Sequence, residues 1–181
     1  MLFFGHLGIT LGVFLLCSIF TPRLRTLIDL RYLAIGALLP DLIDKPLGRV
    51  IFASVLANGR IIGHTLLFSL ILSLVGIYLY KKSNNCRGIA LASGSFLHLL
   101  EDQMWFQPLT FFWPLFGLSF PRDSTDYTGL EYLLIMFGRS FEPEFSQTFI
   151  AEVLGIGLIA IFAVNWLKRR LSKKFWWNKR T

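Results

Sequence analysis

The sequence predicts an all-α, polytopic membrane protein. The expected form is a helix bundle of about five crossings, one of them a broken helix, with the N-terminus outside and the C-terminus in the cytoplasm. Three observations lead there. Of 181 residues, 54% are hydrophobic and only 16% charged, with a mean hydropathy of +0.59; a soluble domain of this length carries more charge. Residues 2–20, 61–80, 88–106 and 148–167 are apolar over close to the roughly 20 residues that a helix needs to cross hydrocarbon. Lys and Arg gather at the ends of these stretches, and that bias sets orientation.

Residues 2–20 are followed by Thr21-Pro22-Arg23-Leu24-Arg25. A signal peptide places its positive charge before the apolar run, so this stretch reads as a retained helix with its N-terminus outside. In residues 31–60 the apolar run 32–39 is too short to span, and Pro40 removes a helical hydrogen bond, so a broken helix packed against its neighbours is expected. The span 61–80 ends at Lys81 and Lys82, and 88–106 follows Arg87. Segment 107–147 is semi-apolar and is expected to lie outside, on or in the outer interface. The clusters Arg23/Arg25/Arg31, Lys81/Lys82/Arg87 and the C-terminal basics all reach the cytoplasm only if 31–60 also crosses.

Residues 168–181 hold seven Lys/Arg and no acid, so the net charge of +7 belongs to them. They read as a basic, aromatic cytoplasmic tail that meets anionic lipid, with Trp176 and Trp177 at the interface, behind a single transmembrane domain over 1–167. No recognition motif accompanies the charge, so no nucleic acid partner is expected. Cys17 and Cys86 form no C-x-x-C pair.

The polar residues inside the spans carry the functional signal. His6, His64 and His98 are the only histidines. On the topology above they fall, with Asp102, roughly 5–12 Å beneath the outer surface at ~1.5 Å per residue. Asp41 and Asp44 reach the same depth on the broken segment. His98 and Asp102, at i and i+4, share one helix face, and Asp41 and Asp44 at i and i+3 converge similarly. Singly, each has an adequate structural explanation: Asp41 and Asp44 could pair with Lys45 and Arg49, and Glu101 and Asp102 with Arg60. Together, imidazoles and carboxylates at one depth point to a divalent metal, zinc being the expected ion. The set exceeds what one structural zinc needs, which implies two ions or a site left open to water.

Four blocks in order, Gly5-His6, GALLPDLID (36–44), GRIIGHTLL (59–67) and SFLHLLEDQMWFQPLTFFWPL (95–115), resemble the YdjM-like family of membrane-bound, metal-dependent hydrolases. That family is distantly similar to zinc-dependent phospholipase C. The resemblance implies that Asp41, His64, His98 and Asp102 surround one metal, and that His6 joins a bridging Asp102 at a second. Gly59-Arg60 stands where many members have His-Arg, and Lys45 where many have histidine. No histidine follows His98, so the ligands of a third metal have no counterpart.

The expected function is therefore metal-dependent hydrolysis at the outer face of the cytoplasmic (inner) membrane, on a phosphoester of the lipid-headgroup type. Asp44 or Glu101 is expected to take the proton, and Arg60, Arg49 or Arg122 to hold the phosphate. Membrane lipids are the expected partners. The rivals are a divalent-cation or proton transporter and a structural membrane protein whose metal staples helices.

Overall fold

A computed structural model describes residues 3–122, 129–140 and 146–178, and all regular structure among them is helical. In chain order the elements are α1 (Phe3–Phe20), α2 (Leu24–Leu27), α3 (Leu30–Pro46) and a π-helical turn (Leu47–Ile51). Then come α4 (Leu66–Ser83), α5 (Arg87–Glu101), a 3-10 turn (Met104–Phe106), α6 (Pro108–Phe111), α7 (Gly129–Ser140) and α8 (Gln147–Asn178). Among the described residues α1, α4 and the Gln147–Lys168 part of α8 are long and apolar enough to cross a membrane.

The principal pairings are α3 with α5, α1 with α8 and α4 with α5, with α1 also against α3. Lipid tails are as apolar as leucine, so helices in a bilayer associate by close packing rather than by escape from water. Small residues make that approach possible. A Cβ at Gly36 would stand 2.1 Å from the Leu91 carbonyl, and one at Gly8 would stand 2.2 Å from that of Gly155. Leu11, Phe14 and Leu33 fill the centre, whereas Leu70, Ile71, Leu74 and Val75 of α4 are exposed and form a lipid-facing surface. At the opposite end from the histidines, Asp29 caps α3 by accepting from Arg31 N. The Arg31 side chain hydrogen-bonded to it holds that carboxyl below its usual range.

The structure moves three boundaries from where the sequence put them. Pro40 lies buried inside an unbroken α3; the break comes later, at the π turn and the turns of residues 52–56. The span expected at 61–80 starts at Leu66, where Thr65 Oγ1 accepts from Phe68 N at 3.0 Å. Residues 57–65 are irregular because a carboxylate of α3 takes their amides, as described below. The span expected at 88–106 ends at Glu101, and Gln103 adopts φ +52°. Helix α8 runs through Lys168 without a break. Of segment 107–147, residues 123–128 and 141–145 lie outside the described residues, as do 179–181 of the tail.

Candidate metal centre

Four chain segments meet at one end of the bundle. His6 comes from the first turn of α1, Asp41 and Asp44 from the second half of α3, His64 from the loop before α4, and His98 from the last turn of α5. Asp102 follows directly, its amide still bonded to the His98 carbonyl at 3.0 Å. At ~1.5 Å per residue His98 stands about 16 Å from Arg87, Asp44 about 20 Å from Arg31 and His6 about 21 Å from the end of α1. In a hydrocarbon layer of roughly 30 Å that is the far leaflet.

The three imidazoles have no solvent exposure, and each is held through Nδ1. His6 Nδ1 lies 2.8 Å from Glu101 Oε2, His64 Nδ1 lies 2.7 Å from Asp44 Oδ2, and His98 Nδ1 lies 2.7 Å from the Ala37 carbonyl. A carbonyl can only accept, so His98 carries its proton on Nδ1; a carboxylate partner imposes the same tautomer on His64 and His6. In the neutral ring the lone pair is then on Nε2, and the Nε2 atoms turn inward.

His98 Nε2 and His64 Nε2 are 3.2 Å apart. Asp41 Oδ1 stands 3.6 Å from the second and 3.9 Å from the first. A point equidistant from these three atoms lies about 2.1 Å from each, the bond length for zinc to nitrogen or carboxylate oxygen. Asp102 Oδ2, 3.8 Å from His64 Nε2, offers a fourth atom. His6 stacks on His98 with ring centroids 3.8 Å apart, and its Nε2 faces Asp102 Oδ1 at 3.2 Å without forming a hydrogen bond. The ligand atoms thus make two groups able to hold an ion, Asp41/His64/His98 and His6/His98/Asp102. They share His98, whose single lone pair serves one ion. A buried nitrogen left without a hydrogen-bond partner, as at His6, fits a cation nearby.

Asp44 and Glu101, expected to accept a proton, each hold an imidazole through Nδ1. Asp44 is fully buried and accepts from Ile61 N, His64 N and His64 Nδ1 on Oδ2 and from Gly63 N on Oδ1, at 2.7–3.1 Å. Glu101 holds His6 on one oxygen and accepts from Thr10 Oγ1 at 2.9 Å on the other. Both sit behind imidazoles, on the side away from the converging Nε2 atoms.

The three arginines expected at a phosphate separate. Arg60 reaches the cluster, its Nε and Nη2 at 2.9 and 2.8 Å from Asp102 Oδ2, and Asn58 Oδ1 accepts from its amide at 2.7 Å. Arg49 is buried with its guanidinium 4.4 Å over the Tyr132 ring. Arg122 is exposed and donates to the Ser54 carbonyl at 2.7 Å. Two further residues belong to the assembly. Lys45 Nζ lies 2.5 Å from Asp41 Oδ2, an i, i+4 pair visible in the sequence. Glu152, from the second turn of α8, accepts from Phe4 N and Gly5 N at 3.1 Å and so caps the helix that carries His6. A lone acid early in an apolar span was its signal.

No curated relative and no solved structure matches the chain. A family model of YdjM inner membrane proteins matches residues 1–172. The chain therefore belongs to the YdjM inner membrane protein family and is itself an inner membrane protein.

Proposed function

We propose that the protein is a metal-dependent hydrolase whose Asp41, His64 and His98 bind one divalent ion, zinc being the ion that best suits two imidazoles and a carboxylate. One observation carries this reading. Two buried imidazoles, both committed through Nδ1, face each other through Nε2 at 3.2 Å. Bare lone pairs at that separation repel unless a cation or a shared proton lies between them, and Asp41 Oδ1 converges on the same point.

A bound divalent ion would polarise a phosphoryl oxygen and bring the pKa of water toward ~7. The chain's own groups do the rest. Asp44 and the Ala37 carbonyl fix the tautomers of His64 and His98, which keeps their Nε2 lone pairs available. Lys45 holds Asp41 Oδ2 and leaves Oδ1 turned inward, and Arg60 holds and orients Asp102 through Oδ2, the oxygen nearer His64. The Arg60 side chain, 36% exposed, is the cation best placed to meet an anionic substrate. A phosphoester of the lipid-headgroup type is the substrate class that suits a site inside one leaflet beside an arginine. The five-crossing topology, with this leaflet outermost, belongs to the same proposal.

The stapling alternative draws on the same ion pairs, because Asp41 and Asp102 are partly neutralised without metal. Elemental analysis of the purified protein beside His98→Ala, together with phospholipid hydrolysis in mixed micelles, separates the readings. The hydrolase reading expects about one divalent ion per chain, lost in His98→Ala together with hydrolysis. Metal without hydrolysis in any phospholipid class leaves the staple, and protein that binds no divalent ion overturns both.

A further inference from the structure

Helix α5 has 15 residues, Arg87 to Glu101, and rises about 22 Å. The hydrocarbon layer is roughly 30 Å thick. With Arg87 at one face, the chain leaves α5 while still several ångströms inside the other leaflet. Whatever follows must complete the passage in lipid.

The following residues suit that surrounding. From Gln103 to Phe120 no residue is charged. Trp105, Phe106, Leu109, Leu115, Phe116 and Leu118 are all exposed, Leu115 and Leu118 to 81%. Their backbone is not a spanning helix, yet as far as Gly117 it provides many of its own hydrogen bonds. The amides of Phe106, Gln107, Thr110, Phe111, Phe112 and Trp113 each bond a carbonyl three or four residues back. The Trp113 indole donates to the Leu118 carbonyl at 3.1 Å. Irregular backbone at membrane depth survives where protein covers it and its polar groups are satisfied. The loop is also rooted, since Met104 and Thr110 are buried and Asn58 Nδ2 donates to the Pro121 carbonyl at 2.6 Å.

We propose that residues 104–120 form a re-entrant loop immersed in the leaflet that holds the His/Asp cluster, in contact with the acyl chains of that leaflet. Each observation bears on it separately: the shortness of α5, the absence of charge, and the outward apolar side chains over an internally bonded backbone. The loop starts two residues after Asp102. It therefore fixes the depth of the cluster and walls one side of it with lipid. The inference holds whether or not the cluster binds metal, so its test does not depend on the proposed hydrolase.

The probe is a protein keeping Trp105 with Trp113, Trp166, Trp176 and Trp177 changed to phenylalanine, reconstituted in nanodiscs of phosphatidylcholine brominated on its acyl chains. Trp105 emission should be blue-shifted, should lose most of its intensity to the brominated lipid, and should lose little to aqueous acrylamide. Should those replacements disturb folding, Leu115→Cys and Leu118→Cys in a Cys17→Ser, Cys86→Ala background carry spin labels instead. Their relaxation should then respond to oxygen far more than to a water-soluble nickel chelate. Insensitivity to brominated lipid overturns the proposal. Strong acrylamide quenching would place the loop in water, and quenching by neither agent would place it beneath another protein surface such as a second copy. Relaxation dominated by the nickel chelate overturns it equally.

Discussion

Asp44→Asn tests the local architecture of the centre with almost no change of shape. Asp44 Oδ2 accepts from Ile61 N, His64 N and His64 Nδ1, and Oδ1 accepts from Gly63 N. The best the amide can do is put its oxygen in the Oδ2 position and keep three of these bonds. Its NH2 then faces the Gly63 amide, donor against donor. The two unpaired buried donors cost about 1–3 kcal/mol apiece, and the surviving bonds drop from charge-assisted to neutral strength. The total is about 3–6 kcal/mol, a large part of the stability of a domain this size. The same change loosens the control of the His64 tautomer, which should weaken metal affinity by ~10–100-fold. Reversible unfolding in mixed micelles measures the first effect, and metal titration into chelator-treated protein measures the second. Asp29→Asn, at the exposed cap of α3, is the control and should change neither. An Asp44→Asn protein within about 1 kcal/mol of the parent, with unchanged metal affinity, would refute the view that this carboxylate organises the loop.

The close approach of α1 and α8 predicts that Gly8→Ala destabilises by about 1–3 kcal/mol or more, because the new Cβ meets the Gly155 carbonyl at 2.2 Å. Gly157→Ala, with nothing within 4 Å of the new atom, should stabilise slightly by the helix propensity of alanine; thermal unfolding of the two side by side reads the contrast. Arg60→Lys should fail to replace arginine in hydrolysis assays, since two N–H groups of its fork meet Asp102 and an ammonium cannot reproduce that geometry. Reporter fusions after residue 84 and at the C-terminus should read cytoplasmic, and one near 125 extracytoplasmic. A cytoplasmic signal at 125 would break the five-crossing topology.

What the sequence made legible follows from the range of each interaction. Apolar runs such as 2–20 and 148–167 declare helices because spanning is a matter of local length. The start of the span expected at 61–80 did not show, because Asp44 decides it from a distance. By taking the amides of Ile61, Gly63 and His64, it denies them to helix formation and delays α4 to Leu66. Pro40 misled for a related reason. Its lost hydrogen bond was clear, but its burial inside α3, where neighbouring helices hold the chain helical, was not. The common depth of His6, His64 and His98 was legible because charge at the helix ends fixes depth. The partner of each Nδ1 was not, since the Ala37 carbonyl that holds His98 has no signature in residue identity. The capping role of Glu152 required knowing that α8 lies against α1.

The acids in Phe96-Leu97-His98-Leu99-Leu100-Glu101-Asp102 lie where intramembrane charge needs compensation, which a metal could supply. The structure relocates that argument. Glu101 is occupied by His6 and Thr10, and Asp102 Oδ2 by Arg60, so the protein itself compensates both acids. What it leaves unanswered is the nitrogen side: Nε2 of His6 has no hydrogen-bond partner, and Nε2 of His64 and His98 face one another. The two origins predict different mutants. If the carboxylate charge draws the ion, Asp102→Asn should abolish binding as fully as His98→Ala does. If the imidazole lone pairs draw it, Asp102→Asn should only weaken binding, because an amide oxygen still reaches the fourth position, while His98→Ala or His64→Ala abolishes it. Added divalent ion should then raise the melting temperature of the parent and of Asp102→Asn, as any ligand of the folded state does, and leave both histidine variants unmoved. A histidine variant that still gains stability from the metal would show that the converging nitrogens are a packing arrangement and not a ligand set.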